Sequence, residues 1–312
     1  MGSFLVCFRA VAPIFLMMAL GYVAQRTGAI TREDVPRLNK LAFRYFMSVT
    51  MFNSIYHSDV SQIAQPKTLT FSVCSVAVVY GACVAFVLLT EKDPQKRGVK
   101  IQGMYRSNFV LIGLPLASAL VEGADLGPVV LLVAVVVPLF NVLAVVTLDV
   151  FQGKHANVGH LLLGIIKNPL ILGTAVGLVF LLTGLRLPHV LESTVEQISG
   201  ISTPLMLFLL GAFFRFDGLS RYWKDLVQVC IARLVVIPGL ALSAAWLAGI
   251  RGVVFAGMVG IFGSATAVAS FTMVQQMGGD DELAGYIVVS TSALCVVTLF
   301  LWSFLFKTIG AF

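Results

Sequence analysis

The sequence predicts an all-α membrane protein: ten transmembrane helices in two inverted five-helix repeats, with broken crossover helices 4 and 9. Three observations predict it. Hydrophobic residues make up 58% of the 312 residues and charged residues 12%, whereas a soluble domain is about 25% charged. The mean hydropathy is +0.95, and apolar runs of spanning length alternate with short polar connections. Finally, Pro13, Gly21 and Gly28 recur as Pro169, Gly177 and Gly184, each offset by 156 residues. Five spans is an odd number, so the second half enters the membrane from the opposite side.

Hydropathy and turn residues place the spans near 5–25, 38–57, 68–90, 100–121, 128–150, 161–185, 194–216, 224–249, 252–277 and 283–306. A span needs about 20 residues, so only short loops remain. That excludes a soluble enzyme domain or a nucleic-acid module. The net charge of +6 is therefore a matter of membrane topology. Thirteen Lys and Arg residues lie at connections 1–2, 3–4, 5–6 and 7–8 or their flanks. Five lie on the other side: Arg9, Lys67, Arg186, Arg251 and Lys307. The positive-inside rule puts those four connections in the cytoplasm and both termini outside. Connection 9–10 reads GGDDE over 278–282 and carries no basic residue, but acidic residues contribute little to orientation. The N-terminus reads as a first span rather than a removable signal. Cys7, Cys74, Cys83, Cys230 and Cys295 fall in apolar runs and read as small buried hydrophobes. His57, His155, His160 and His189 have no metal-ligand spacing, so neither a metal nor a cofactor is expected.

The fourth and ninth spans each carry a small, polar interruption, at Ser107–Asn108 and at Ala265–Thr266. A break leaves backbone N–H and C=O groups unpaired where there is no bulk water. Protein, an ion or a substrate must supply their partners. Half-helix N-termini suit a carboxylate. No Asp or Glu lies between 101 and 121 or between 252 and 279. The breaks offer Ser107, Asn108, Ser264, Thr266 and Ser270 instead, with Arg106 alongside. That inventory suits an anion and argues against a cation antiporter. Plainer roles stand beside these. Asn108 can bond a neighbouring helix, Thr266 its own i−4 carbonyl, and Arg106 can snorkel to the cytoplasmic surface. Asn53 and Tyr56 on the second span are placed to face the crossing helices. Asn141, after Pro138, is placed to brace the crossing, and Arg233 to make a structural pair. Gly173-x3-Gly177 is a face for close helix packing.

Several runs resemble the auxin efflux carrier family, which includes bacterial malonate and malate permeases and the plant PIN-FORMED auxin carriers. They are MYRSNFVLIGLPLASAL (104–120), with Asn108, Gly113 and Pro115 at the family spacing, and SATAVASFTMVQQMGGDDELAGYIVVSTSALCVVTL (264–299). APIFLMMALGYVAQRTGAI (12–30), LNKLAF (38–43) and KNPLILGTAVGL (167–178) resemble it too. The resemblance covers essentially the whole chain and implies the crossover fold of bile-acid symporters and sodium/proton antiporters. The repeats would be 1–156 and 157–312. Spans 1, 2, 6 and 7 would form a scaffold, often dimeric, and spans 3–5 and 8–10 a transport domain. Pro13 and Pro169 would be structural. The family usually has proline at one or both crossing points. Here Ser107 and Ala265 stand there, and Ser48 replaces a proline of many relatives, so the break in the ninth span is left open.

The function implied is secondary transport of a small organic anion, a dicarboxylate such as malonate or malate, in a bacterial inner membrane. No enzyme activity is expected. The coupling ion, proton or sodium, stays open. A sodium-coupled symporter of the bile-acid type, an auxin-like monocarboxylate exporter and a membrane sensor are the alternatives. An intramembrane aspartyl protease would need a second Asp at the depth of the GGD motif at 278–280, and no span provides one.

Overall fold

The computed structural model describes residues 2–31, 33–57, 66–121, 123–151, 167–216 and 218–312. Among these residues the chain is all helix. The one β-type feature is an isolated antiparallel bridge between Ser107 and Thr266. The first half contains α1 (Gly2–Arg26), α2 (Asp34–Leu41), α3 (Ser48–Tyr56), α4 (Pro66–Thr90), α5 (Pro94–Tyr105), α6 (Leu114–Leu120) and α7 (Gly127–Phe151). The second contains α8 (Pro169–Thr183), α9 (His189–Phe213), α10 (Trp223–Ile231), α11 (Ile237–Leu247), α12 (Gly252–Gly263), α13 (Ala269–Met277) and α14 (Asp281–Thr308). Every predicted span overlaps one or two of these helices. Residues 161–166, the start of the predicted sixth span, lie outside the described residues.

Among the described residues five helical segments are long and apolar enough to cross a bilayer: Lys67–Thr90, Gly127–Phe151, His189–Phe213, Trp223–Leu247 and Asp281–Thr308. The chain is a multi-pass membrane protein. Its outer surface agrees, because Leu16, Leu89, Leu182 and Leu247 are among many large apolar side chains left exposed. In water such a surface would aggregate; against acyl chains it costs nothing. Cys83, Cys230 and Cys295 are buried as expected, but Cys74 is exposed.

Local chemistry explains where helices begin and end. Pro94 and Pro169 occupy first-turn positions where no amide partner is needed. The Asp93 and Asn168 side chains before them accept from the Gln95 and Leu170 amides. Asp280 caps α14 by accepting from the Leu283 N–H, and Lys307 closes its last turn, matching the helix dipole at both ends. Gly184 ends α8 in a left-handed conformation, φ 69°, which glycine adopts without a steric penalty. Three widened π-helical turns, at Ala42–Met47, Phe109–Gly113 and Ala232–Val236, join α2 to α3, lead into α6 and join α10 to α11.

Glycines set the closest helix contacts. α1 lies along α9 with Gly21 against the Phe208 carbonyl and Gly211 against the Met18 carbonyl. α3 lies along α8 with Gly173 against the Ser48 carbonyl. A Cβ on Gly177 would sit 2.9 Å from the Phe52 carbonyl oxygen. Gly21 and Gly177 are 156 residues apart, as are Phe52 and Phe208, so these two contacts exchange halves of the chain.

Candidate functional site

Two helices are broken where they meet. α5 stops at Tyr105, and Arg106 is extended, with φ −83° and ψ 115°. α12 stops at Gly263, and Ser264 is extended, with φ −73° and ψ 164°. The ninth span is thus interrupted without a proline at Ala265. What replaces the proline is a set of polar bonds between the breaks. The Asn108 amide donates to the Ala265 carbonyl at 2.9 Å, and the Ala267 amide to the Arg106 carbonyl at 3.2 Å. The Ser107 and Ser264 hydroxyls meet at 2.8 Å. The Thr266 hydroxyl donates to the Gly103 carbonyl at 2.7 Å, and its amide to the Thr291 hydroxyl at 3.2 Å. Each break pairs backbone groups the other would leave unsatisfied, which is how irregular backbone survives at membrane depth.

Arg233 closes the other side. It is fully buried, carried on the π turn between α10 and α11. Its Nε donates to the Ser264 carbonyl at 2.8 Å and its Nη2 to the Ile261 carbonyl at 3.1 Å. Its Nη1 reaches the Met104 and Tyr105 carbonyls at 3.4 and 3.3 Å. One guanidinium therefore caps the C-terminal ends of both α5 and α12, where the dipoles concentrate negative charge. Glycines let the strands of the break approach. A Cβ on Gly113 would lie 2.7 Å from the Gly260 Cα, and Pro115 follows in the first turn of α6.

A cavity of about 290 Å³ opens beside this crossing. Arg106, Ser107 and Asn108 from the first break line it, with Ala267–Ala269 at the start of α13. Asn53 on α3, Asn141 on α7 and Ser202 on α9 add polar side chains to its lining, as do Thr50, Ser54, Ser199 and Thr203. Arg106 is 3% exposed. Its guanidinium donates to Asn141 Oδ1 and to Gln102 Oε1 and touches the Met273 sulfur. All these partners are neutral, so the charge is held at membrane depth rather than snorkelling to the surface. Asn108 Nδ2, Asn53 Oδ1 and Ser202 Oγ are buried with no hydrogen-bond partner. An unpaired buried polar atom is costly, and the three residues that carry these atoms all line this cavity.

The structure thus gathers Arg106, Ser107, Asn108, Asn53 and Asn141 at one cavity. Ser264, Thr266 and Ser270 are buried in the crossing but do not line it. Ser270 Oγ has no partner there. Tyr56 packs away from the cavity, accepting from the Leu187 amide at 3.0 Å. Ser202 was not singled out in the sequence. Serines in membrane helices commonly bond their own i−4 carbonyl, and nothing in the run GISTPL distinguishes one that does not.

Broken helices meeting inside a bundle of apolar spans, with a polar cavity at the meeting point, define a membrane transport protein. The comparisons agree. The chain matches the family model described as membrane transport protein over residues 6–157 and 153–303, and it belongs to that family, the auxin efflux carriers. It is similar to an "Uncharacterized transporter" of Methanothermobacter thermautotrophicus, with 21% identity covering 94% of this chain and 96% of the relative. A "Putative malonate transporter" of Rhizobium meliloti is 22% identical over 93% of this chain and 92% of its own. The mouse "Lysosomal cholesterol signaling protein" is 21% identical over 97% of this chain and 38% of the much longer relative.

Proposed function

We propose that this protein is a secondary carrier of small organic dianions, a dicarboxylate such as malonate or malate, working by alternating access at the crossing. The observation that carries the reading is the cavity itself. It places a buried guanidinium with only neutral partners beside the unpaired side-chain nitrogen of Asn108. A buried cation lacking a counter-ion is expensive, and a bound carboxylate offsets that cost while accepting from Asn108 Nδ2. Ser107 and the start of α13 line the same cavity. Ser264, Thr266 and Arg233 hold the crossing in shape. The relative named for malonate supports the dicarboxylate class.

The proposed architecture is ten spans in two inverted repeats, 1–156 and 157–312. The exchanged glycine contacts of α1 with α9 and of α3 with α8 support it. Those helices would form the scaffold with α2, and the remaining spans the moving body. The proposed location is a bacterial inner membrane, and the basic residues favour both termini outside. Reconstituted protein preloaded with unlabelled malonate is expected to accumulate labelled malonate by counterflow. Asn108→Ala removes a donor to a charged group, worth about 2 kcal/mol, and is expected to weaken apparent affinity at least about tenfold. Folded wild-type protein that shows no counterflow with any dicarboxylate would sink the reading.

A further inference from the structure

The donors around the cavity explain how it would hold a carboxylate, but they leave two atoms unexplained. Asn53 Oδ1 can only accept a hydrogen bond. It is buried and unpartnered, and its residue lines the same cavity as Asn108. A carboxylate also only accepts, so it cannot satisfy this atom and would be repelled by it. Ser202 Oγ, which can donate and accept, is likewise buried and unpartnered, on a residue with no exposed surface. The two residues come from α3 and α9, which pack on each other and belong to neither broken helix. A group that satisfies both is a hydroxyl, donating to one and accepting from the other.

We infer that Asn53 and Ser202 form a hydroxyl-reading pair, and that the carrier prefers hydroxy-substituted dicarboxylates over their unsubstituted analogues. This rests on the carrier reading above and narrows it. Arg106 and Asn108 take a carboxylate. The substituent hydroxyl then donates to Asn53 Oδ1 and accepts from the Ser202 hydroxyl. A site built around a substrate hydroxyl discriminates strongly against the analogue lacking it, because the buried polar atoms are then left unpaired.

The test is competition for counterflow by two matched pairs, malate against succinate and hydroxymalonate against malonate, which separates the hydroxyl from chain length. The hydroxylated acid of each pair is expected to compete at least about tenfold better. In Ser202→Ala and in Asn53→Leu that ratio should fall toward one. A merely structural role would weaken both acids of a pair together and leave the ratio where it was. Equal competition within both pairs in the wild type would overturn the inference while leaving the dicarboxylate carrier intact; it would mean that Asn53 turns its amide nitrogen to the anion. A wild-type preference that both variants keep would also overturn it. If none of the four acids competes, the carrier reading fails and takes this inference with it.

Discussion

Arg233 shows how much one side chain can hold. Its guanidinium meets four backbone carbonyls, two from each broken helix. Lysine keeps the charge but not the planar fork. Arg233→Lys is therefore expected to fold with a clearly lowered melting temperature in detergent. Arg233→Met strands four buried carbonyls at about 1–3 kcal/mol each and is expected not to yield folded protein. A Met variant melting like the wild type would show that other groups cap these ends. At this scale the sequence was only partly legible. That Asn108 and Arg106 matter could be read from polar residues inside an apolar run. Depth could not: the two fates of Arg106, surface or interior, are set by Asn141, 35 positions away in the chain. Ser202 was silent because its neighbours, not its own identity, leave it unpaired.

At the scale of elements, helices announce themselves through apolar length and through proline, Asx and glycine punctuation, and among the described residues five of the ten predicted spans are helical segments long and apolar enough to cross a bilayer. The π turns do not, since widening a turn by one residue leaves no composition signal. The meeting of α5 and α12 depends on small residues. Gly260→Val would push side-chain atoms into the Gly113 backbone; counterflow is expected to fall more than about tenfold, in line with the cost of overpacking. Near-normal transport by that variant would contradict the close approach. A second joint fastens the start of α5 to the start of α10. The Lys100 ammonium, 3% exposed, lies 3.1 Å from Glu91 and 3.0 Å from Asp225, and Lys96 adds a contact to Asp225 at 2.9 Å. Removing one partner of a buried pair costs about 3–5 kcal/mol, so Lys100→Met should melt well below wild type. Burial pushes the Glu91 carboxyl up, but the Asp93 amide and Lys100 outweigh it and hold the group below its usual range. Its stabilisation is thus complete above the unfolded value of about 4.3 and is lost as pH falls through the lower folded value. Melting temperature should drop over that acid window in wild type, and less steeply in Glu91→Gln.

For the whole molecule, composition alone established the solvent, and the spacing of Pro13, Gly21 and Gly28 against their later copies suggested a duplicated plan. The packing that answers to it, Gly21 on Phe208 and Gly177 on Phe52, could not be read in advance, because no pattern in one helix says which partner it meets. The lining of the cavity, one arginine among neutral side chains, bears on energetics. Its residues include no carboxylate to bind a cation, so replacing sodium with choline is expected to leave dicarboxylate uptake unchanged; a collapse of uptake in choline would favour the sodium-coupled alternative. The attachment of Arg233 to both half-helices has one more effect. Reshaping the crossing would mean breaking four hydrogen bonds in a medium that offers no replacements, so under the proposed alternating access the crossing would move as one rigid piece. Any difference in affinity between the two faces of the bilayer would then come from the cavity walls on α3 and α9, and not from the broken helices.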